Sequence, residues 1–210
     1  MTSAPSFAAR FAQLARERAD DPALTLVGDR SLGFAELDRA ATRLARHLAS
    51  LGVVADDLVT IAEPNSAEFV IAAVACWKLG ATPQPVSSRL PPAELAAVVE
   101  LADPTVVIGA SIEDRTCLPL GHRPPDGVDD RPLPDATAAA WKAPTSGGST
   151  GRPKLIVSGD PSVYSPPLAA LAVLIGARDD TTTVMPGPLY HNGPFIWTFL
   201  SLLAGSHVVL

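Results

Sequence analysis

The 210-residue sequence predicts an α/β fold of layered parallel-type sheets with flanking helices. Strand-length apolar runs alternate with segments of helical period along most of the chain. One helical segment, running to Leu79, is apolar nearly all round through Phe69, Val70, Ile71, Val74, Cys76 and Trp77, which suits burial between layers. Glycine or proline punctuates the junctions, at Pro22, Gly28, Gly52, Gly80 and Pro104.

Taken in order, Phe7, Phe11, Leu14 and Ala15 recur at helical spacing, so Ser6–Arg18 reads as a short amphipathic helix ended by Asp20-Asp21-Pro22. Ala23–Val27 is a strand and Gly28-Asp29-Arg30 a turn. From Phe34 to Leu51, the residues Phe34, Leu37, Ala41, Leu44, Leu48 and Leu51 form one stripe. Glu36, Arg39, Arg43 and His47 face away from it, with His47 read as a solvated histidine. Gly52 supplies the left-handed position that ends the helix. Leu58–Ala62 is a strand, after which Asn65 reads as the N-cap and Glu68 as its capping-box partner. Cys76 is expected to be an inert core thiol.

Ala81–Val86 is the next strand, interrupted by Pro83 and Pro85. Pro91-Pro92 opens a helix to Leu101, and Thr105–Gly109 is a fourth strand. Residues 111–140 carry Pro119, Pro124, Pro125, Pro132 and Pro134 among Asp126, Asp129 and Asp130, so they read as a solvated surface connection within one domain. Ala136–Ala140 suits a helical turn. Trp141-Lys142-Ala143 reads as a strand feeding a glycine-rich loop and Leu155–Ser158 as the strand leaving it. Pro167–Ile175 is a helix, Thr182–Met185 a strand, Phe195–Ala204 a helix, and His207–Leu210 the beginning of a strand.

Composition narrows the function. Hydrophobic residues make up 47% and charged residues 18%, a globular balance. The net charge of −6 argues against nucleic acid or an anionic membrane as the main partner. Cys76 and Cys117 lie outside any metal-ligand spacing, and the opening residues lack the pattern of a secretory signal. The longest apolar runs, Leu168–Ile175 and Phe195–Ala204, are shorter than a bilayer span. A cytoplasmic protein with no transmembrane segment is the expectation.

The chemistry concentrates at Thr145-Ser146-Gly147-Gly148-Ser149-Thr150-Gly151-Arg152-Pro153-Lys154. Three glycines let backbone N–H groups turn inward, four hydroxyls add donors, and Lys154 adds a charge. This is an anion cradle. It is not a Walker loop, because Arg152-Pro153 separate Gly151 from Lys154 and Leu155 follows the lysine. Nor is it a dinucleotide fingerprint, since no helical pattern starts directly after it. Lys142 and Arg152 read as solvated charges. Tyr164, with Ser162 and Ser165, fits a surface turn; His122 and His207 carry no supporting context.

The loop resembles the phosphate-binding signature of the adenylate-forming (AMP-binding) superfamily, which includes acyl-CoA synthetases, adenylation domains and luciferases. Thr145, Ser146, Gly147, Ser149, Thr150, Gly151, Pro153 and Lys154 match that pattern. Gly148 is an additional residue, as in the branch of bile-acid, steroid and terpenoid CoA ligases, and Leu155 replaces the usual glycine. Three further stretches agree in order. Leu32–Leu37 is similar to the first core motif, Trp77-Lys78-Leu79-Gly80-Ala81 with Pro85 to the second, and Pro188-Leu189-Tyr190-His191-Asn192-Gly193 to the fourth.

The resemblance implies activation of a carboxylic acid by ATP, with Mg2+, to an acyl-adenylate and pyrophosphate, then thioester formation with CoA. Thr145, Ser146, Gly147, Gly148, Ser149, Thr150, Gly151 and Lys154 would bind the phosphates. His191 and Lys154 would be catalytic, and Tyr190, His191, Asn192 and Gly193 would border the acid substrate; metal ligands are unassigned. Phe195, Ile196, Trp197 and Phe199 suggest a bulky apolar acid, although core packing explains them as well. The family's later motifs and its C-terminal lid domain are missing. The chain is therefore expected to be the N-terminal part of the large domain, inactive without the remainder of the enzyme. Two alternatives stay open: loading of a carrier protein, and a non-catalytic binding or scaffolding remnant.

Overall fold

Ser6 starts the first helix by accepting a hydrogen bond from the Ala9 amide at 2.9 Å, and α1 (Phe7–Glu17) buries Phe7, Phe11 and Leu14. The computed structural model describes residues 4–146 and 153–210. β1 (Pro22–Thr25) and β2 (Ser31–Gly33) precede α2 (Phe34–Ser50). Then β3 (Leu58–Ile61), α3 (Ala67–Lys78), β4 (Thr82–Pro85), α4 (Pro92–Ala102) and β5 (Val106–Ile108) alternate as the periodicity predicts. The short β6 (Cys117–Leu118) follows, and β7 (Thr145–Ser146) and β8 (Lys154–Leu155) flank the glycine-rich loop. The order continues with α5 (Pro166–Leu174), β9 (Thr182–Val184), α6 (Asn192–Ala204) and β10 (His207–Val209).

Two four-stranded sheets result. One runs β2-β1-β10-β9 and is parallel except for the β1–β2 pair. The other runs β4-β3-β5-β6 and is parallel throughout. A two-stranded antiparallel pair, β7–β8, stands apart from both. The α/β class with parallel sheets is the one the sequence predicts.

The core centres on α3, whose apolar surface faces α1 and α2 as well as β3 and β4. Trp77 is wholly buried, with ring centroids of Phe7 and Phe199 at 5.0 and 4.8 Å, both edge-on. Its Nε1 donates to the Trp141 carbonyl at 2.8 Å, so the indole dipole is satisfied inside the core. Burial pushes the Cys76 thiol far up, in keeping with an inert core cysteine.

Prolines in β4 have a positional logic. The amides of Thr82 and Val86 donate to Asp57 and Ile61 carbonyls on the β3 side. Pro83 and Pro85 occupy the alternating positions, whose missing N–H would point away from β3, so the ladder loses nothing. The outer edge of β4 is left with acceptors and short of donors.

Several local expectations are corrected. Ser66, not Asn65, caps α3, accepting from the Phe69 amide at 3.1 Å, and Glu68 turns instead to Arg30 at 2.5 Å and Arg123 at 3.5 Å. Ala136–Ala140 is not helical, because Ala138 is bound to Ser162: its amide donates to Ser162 Oγ at 2.8 Å and its carbonyl accepts from the Ser162 amide at 2.9 Å. Ser162 is accordingly buried, its carbonyl taking the Phe7 amide at 2.8 Å, so the segment around Tyr164 is a tie to α1 and not a surface turn. Lys142 is buried too, with its ammonium 4.9 Å above the Trp141 ring, where the indole face offers a cation-π contact. His47 does not stand alone in solvent but stacks on His122 at 5.1 Å.

Candidate functional site

The residues on either side of the glycine-rich segment pair as two antiparallel arms. Thr145 pairs with Leu155 and Ser146 with Lys154. The pairing extends outward through Ile156 N–H to the Pro144 carbonyl at 2.9 Å, Ser158 N–H to Lys142 at 3.0 Å, and Trp141 N–H to Asp160 at 3.0 Å. Trp141-Lys142-Ala143 is thus the lower part of this hairpin, although the regular strand starts only at Thr145. Its base is rigid. Trp141 packs into the core against Phe7 at 5.7 Å and Phe195 at 5.9 Å.

The hairpin is fixed to the sheet at β4. The Ala143 amide donates to the Pro83 carbonyl at 3.0 Å, Thr82 Oγ1 donates to the Ala140 carbonyl at 2.7 Å, and Gln84 Nε2 donates to Thr145 Oγ1 at 3.3 Å. At the mouth, Thr145 and Ser146 are half-buried and Lys154 is exposed. Burial pushes the Lys142 amine down, with Asp160 partly opposing the shift. Gly147, Gly148, Ser149, Thr150 and Gly151, predicted as phosphate ligands, lie outside the described residues, as does Arg152.

The histidine segment is built differently. His191 is the N-cap of α6, with extended backbone (φ −84°, ψ 143°); its carbonyl takes the Phe195 amide at 3.0 Å and its amide donates to Pro188 at the same distance. Its ring makes no capping bond and lies exposed, 4.4 Å from the Tyr190 ring. Asn192 and Gly193, placed by the sequence ahead of a helix expected from Phe195, form the first turn of α6. Amides in a first helical turn lack intrahelical partners and carry partial positive charge, which suits a carboxylate or phosphate nearby.

Asn65 holds this segment in place. Its Nδ2 donates to the Gly187 carbonyl at 2.9 Å, and its Oδ1 accepts from the Leu189 amide at 2.8 Å. Gly187 is needed for close approach, since a Cβ there would stand 2.6 Å from Pro194 Cγ. Of Phe195, Ile196, Trp197 and Phe199, the two phenylalanines belong to the core, while Trp197 is exposed.

Thr145, Ser146 and Lys154 thus gather on one stem, and Tyr190, His191, Asn192 and Gly193 at one helix start. No hydrogen bond or ring contact among the described residues joins the two groups directly. They share foundations instead. Asn65 follows the carboxyl end of β3, Gln84 sits near the carboxyl end of β4, and Trp141 touches Phe195. The carboxyl ends of parallel strands are where open α/β sheets place ligands. Sequence reading gave Asn65 and Lys142 other roles, as a helix cap and a solvated charge, and passed over Gln84. Gln84 left a trace, as the one amide in a buried strand and flanked by two prolines.

Among the described residues no three His, Cys, Asp or Glu side chains cluster as a metal site, and no helix is long and apolar enough to cross a membrane. A cleft of about 470 Å³ between α1, α2 and residues 130–135 contains none of the candidate residues.

Comparison with known proteins gives this site its context. Glycine betaine reductase ATRR of Emericella nidulans is 34% identical over 208 residues, covering 91% of this chain and 16% of that protein. Long-chain-fatty-acid–CoA ligase FadD13 of Mycobacterium tuberculosis is 27% identical over 203 residues, covering 86% of this chain and 40% of that protein. The chain therefore spans well under half the length of these relatives. The N-terminal domain of FACL13 from Mycobacterium tuberculosis superposes with a TM-score of 0.84 at 22% identity, over 98% of this chain and 56% of that one, a likeness of fold. Residues 11–210 match the family described as AMP-binding enzyme, and with nearly its whole length so matched the chain belongs to that family.

Proposed function

We propose that this chain carries the phosphate grip of an enzyme that activates a carboxylic acid with ATP, forming an acyl-adenylate and releasing pyrophosphate. The observation that carries the reading is the hairpin: a glycine-rich loop on two paired arms, fixed to a parallel sheet, with the hydroxyls of Thr145 and Ser146 and the exposed Lys154 at its mouth. This donor set fits a polyphosphate. Membership of the AMP-binding enzyme family supports the same chemistry.

In the proposed reaction the substrate carboxylate attacks the α-phosphate in line, and catalysis is mostly positioning and charge stabilisation. Backbone amides of Gly147, Gly148 and Gly151, with the hydroxyls of Thr145, Ser146, Ser149 and Thr150, hold the β- and γ-phosphates. Lys154 offsets their charge. His191, at the start of α6 beside Tyr190, Asn192 and Gly193, donates a hydrogen bond between the acid and the α-phosphate. It is not a base, because the attacking carboxylate is already ionised at neutral pH. A Mg2+ ion bound with ATP would neutralise phosphate charge; its protein ligands are not assigned.

The acyl group then passes to the CoA thiol with release of AMP, the reading favoured by the CoA-ligase relative, in a protein for which this chain is the N-terminal part of the large domain. A bulky apolar acid of steroid or terpenoid type is the proposed substrate, on the strength of the additional Gly148 and the exposed Trp197. Two free cysteines fit a cytoplasmic setting. Acid-dependent ATP–pyrophosphate exchange tests the reading, using short aliphatic, aromatic and polycyclic acids and the protein that carries this chain. Exchange with polycyclic acids, reduced about 100-fold or more by Lys154→Ala, is expected. No exchange with any acid would sink the activity; preference for short acids would sink the substrate class. Thioester formation with CoA, against transfer to a carrier protein, identifies the acceptor.

A further inference from the structure

The strand that supports the hairpin holds a fully buried amide. Gln84 on β4 and Thr60 on β3 stand opposite each other in register, and both are fully buried. The Thr60 hydroxyl donates to Gln84 Oε1, which fixes the amide so that its Nε2 end faces the hairpin. Nε2 then donates to Thr145 Oγ1 at 3.3 Å.

Backbone pairing does not take over this task. Pro83 and Pro85 leave the outer edge of β4 short of N–H donors, and among the described residues the one backbone-to-backbone bond from the hairpin to that edge is from the Ala143 amide to the Pro83 carbonyl. Thr145 is held by a side chain. A threonine hydroxyl has one proton and two lone pairs. With a lone pair taken by Gln84, its proton is directed elsewhere, and the glycine-rich tip begins two residues further on.

We propose that Gln84, held by Thr60, is a positioning residue that makes the Thr145 hydroxyl a hydrogen-bond donor to the nucleotide's polyphosphate. This rests on the reading of the loop as a phosphate grip. The relay runs in one direction, Thr60 to Gln84 to Thr145 to ligand, and so favours an anion at its end. A carboxylate at position 84 would accept from Thr145 and reverse it.

Calorimetric titration with MgATP and, separately, with inorganic tripolyphosphate tests the relay, on the whole protein that carries this chain. Gln84→Met is expected to weaken both probes about tenfold, and Thr145→Val by a similar factor, since each removes one bond to a charged ligand or its support. The two together are expected to be no worse than Thr145→Val alone, because they break the same chain. Gln84→Glu is expected to be weaker than Gln84→Met at neutral pH. Relative to the unsubstituted chain at each pH, it should regain affinity on acidification, when a protonated carboxyl can donate as the amide does. Such recovery is not expected of a residue that only fills space, and it tests the relay even if Gln84→Met does not fold. If the unsubstituted protein binds neither probe, the phosphate reading falls and the relay with it. If it binds and the Gln84 variants match it, or the losses simply add in the double variant, the relay alone is overturned.

Discussion

Asn65 uses one carboxamide to tie two backbone groups of a segment more than 120 residues away, at Gly187 and Leu189. Replacing it by Ala removes both bonds and leaves the Leu189 amide, part-buried, without this partner. A loss of about 1–3 kcal/mol in urea unfolding is expected, with a larger fall in acid-dependent activity if Tyr190 and His191 border the substrate. Asn65→Asp keeps the acceptor for Leu189 but sets a carboxylate against the Gly187 carbonyl, so it should fall between wild type and Ala. Equal behaviour of Asp and Ala variants would mean that the Leu189 bond carries nothing. This residue also shows why sequence reading stops where it does. Asn and Ser are both strong helix caps, and adjacent Asn65 and Ser66 offer no local reason to choose between them. The choice was made by a loop distant in sequence, which leaves Ser66 to cap α3. Glu68 likewise answers to Arg30 and Arg123, not to its own helix start.

The segment 119–131 forms a strap across α2 and the start of α3. Arg46 donates to the Arg131 carbonyl at 2.8 Å and lies 3.8 Å from Asp129, while Arg43 reaches the Pro125 carbonyl at 3.4 Å. The Gly121 amide donates to Glu63 at 2.8 Å. Between these ties His122 stacks on His47, and burial, with the nearby His47 charge, pushes His122 below the usual histidine range. The folded state therefore holds its proton less tightly than the unfolded chain. The contribution is intact above about pH 6.5 and is lost progressively as pH falls through that value towards the folded one. Glu63, raised by burial, works the other way, its contribution being present at low pH and lost as pH rises through its folded value. Urea midpoints at pH 7.5 and 5.5 should differ less in His122→Gln than in wild type, with His207→Gln as a control, since burial lowers that histidine also. An unchanged pH dependence would clear the stack of any role. At this scale most elements were legible: amphipathic α1 and α2, the all-apolar α3, and the strands between them have strong periods. The connection from 111 to 140 was legible as irregular, but β6 within it was not. Cys117–Leu118 forms a strand because β5 offers an edge, which two residues do not advertise.

Across the whole molecule, apolar surface is unevenly covered. α5 is apolar all round yet buries only Ala172, leaving Leu174 81% exposed, and Val184 on β9, the last strand of its sheet among the described residues, is 68% exposed. Exposed edges and apolar patches promote association. The isolated chain is expected to bind a hydrophobic dye and to scatter light increasingly with concentration. Leu174→Lys with Val184→Thr should lower both, with a change in unfolding free energy within about 0.5 kcal/mol; unaltered scattering would place the association elsewhere. The two main sheets differ as well in how far apart their strands lie along the chain. In β3 and β5, Val59 pairs with Val106, but in β1 and β10, Leu24 pairs with Val208. During synthesis at about 5–20 residues per second, the first strand leaves the ribosome roughly 10–40 s before its parallel neighbour exists. The hairpin's sheet can assemble early, while the sheet beside the histidine segment must wait. The aromatic cluster around Trp77 closes only when Phe195 and Phe199 arrive, so a nascent chain holds its apolar α3 half-covered from the synthesis of that helix until that of α6, and this is the interval in which a chaperone has something to bind.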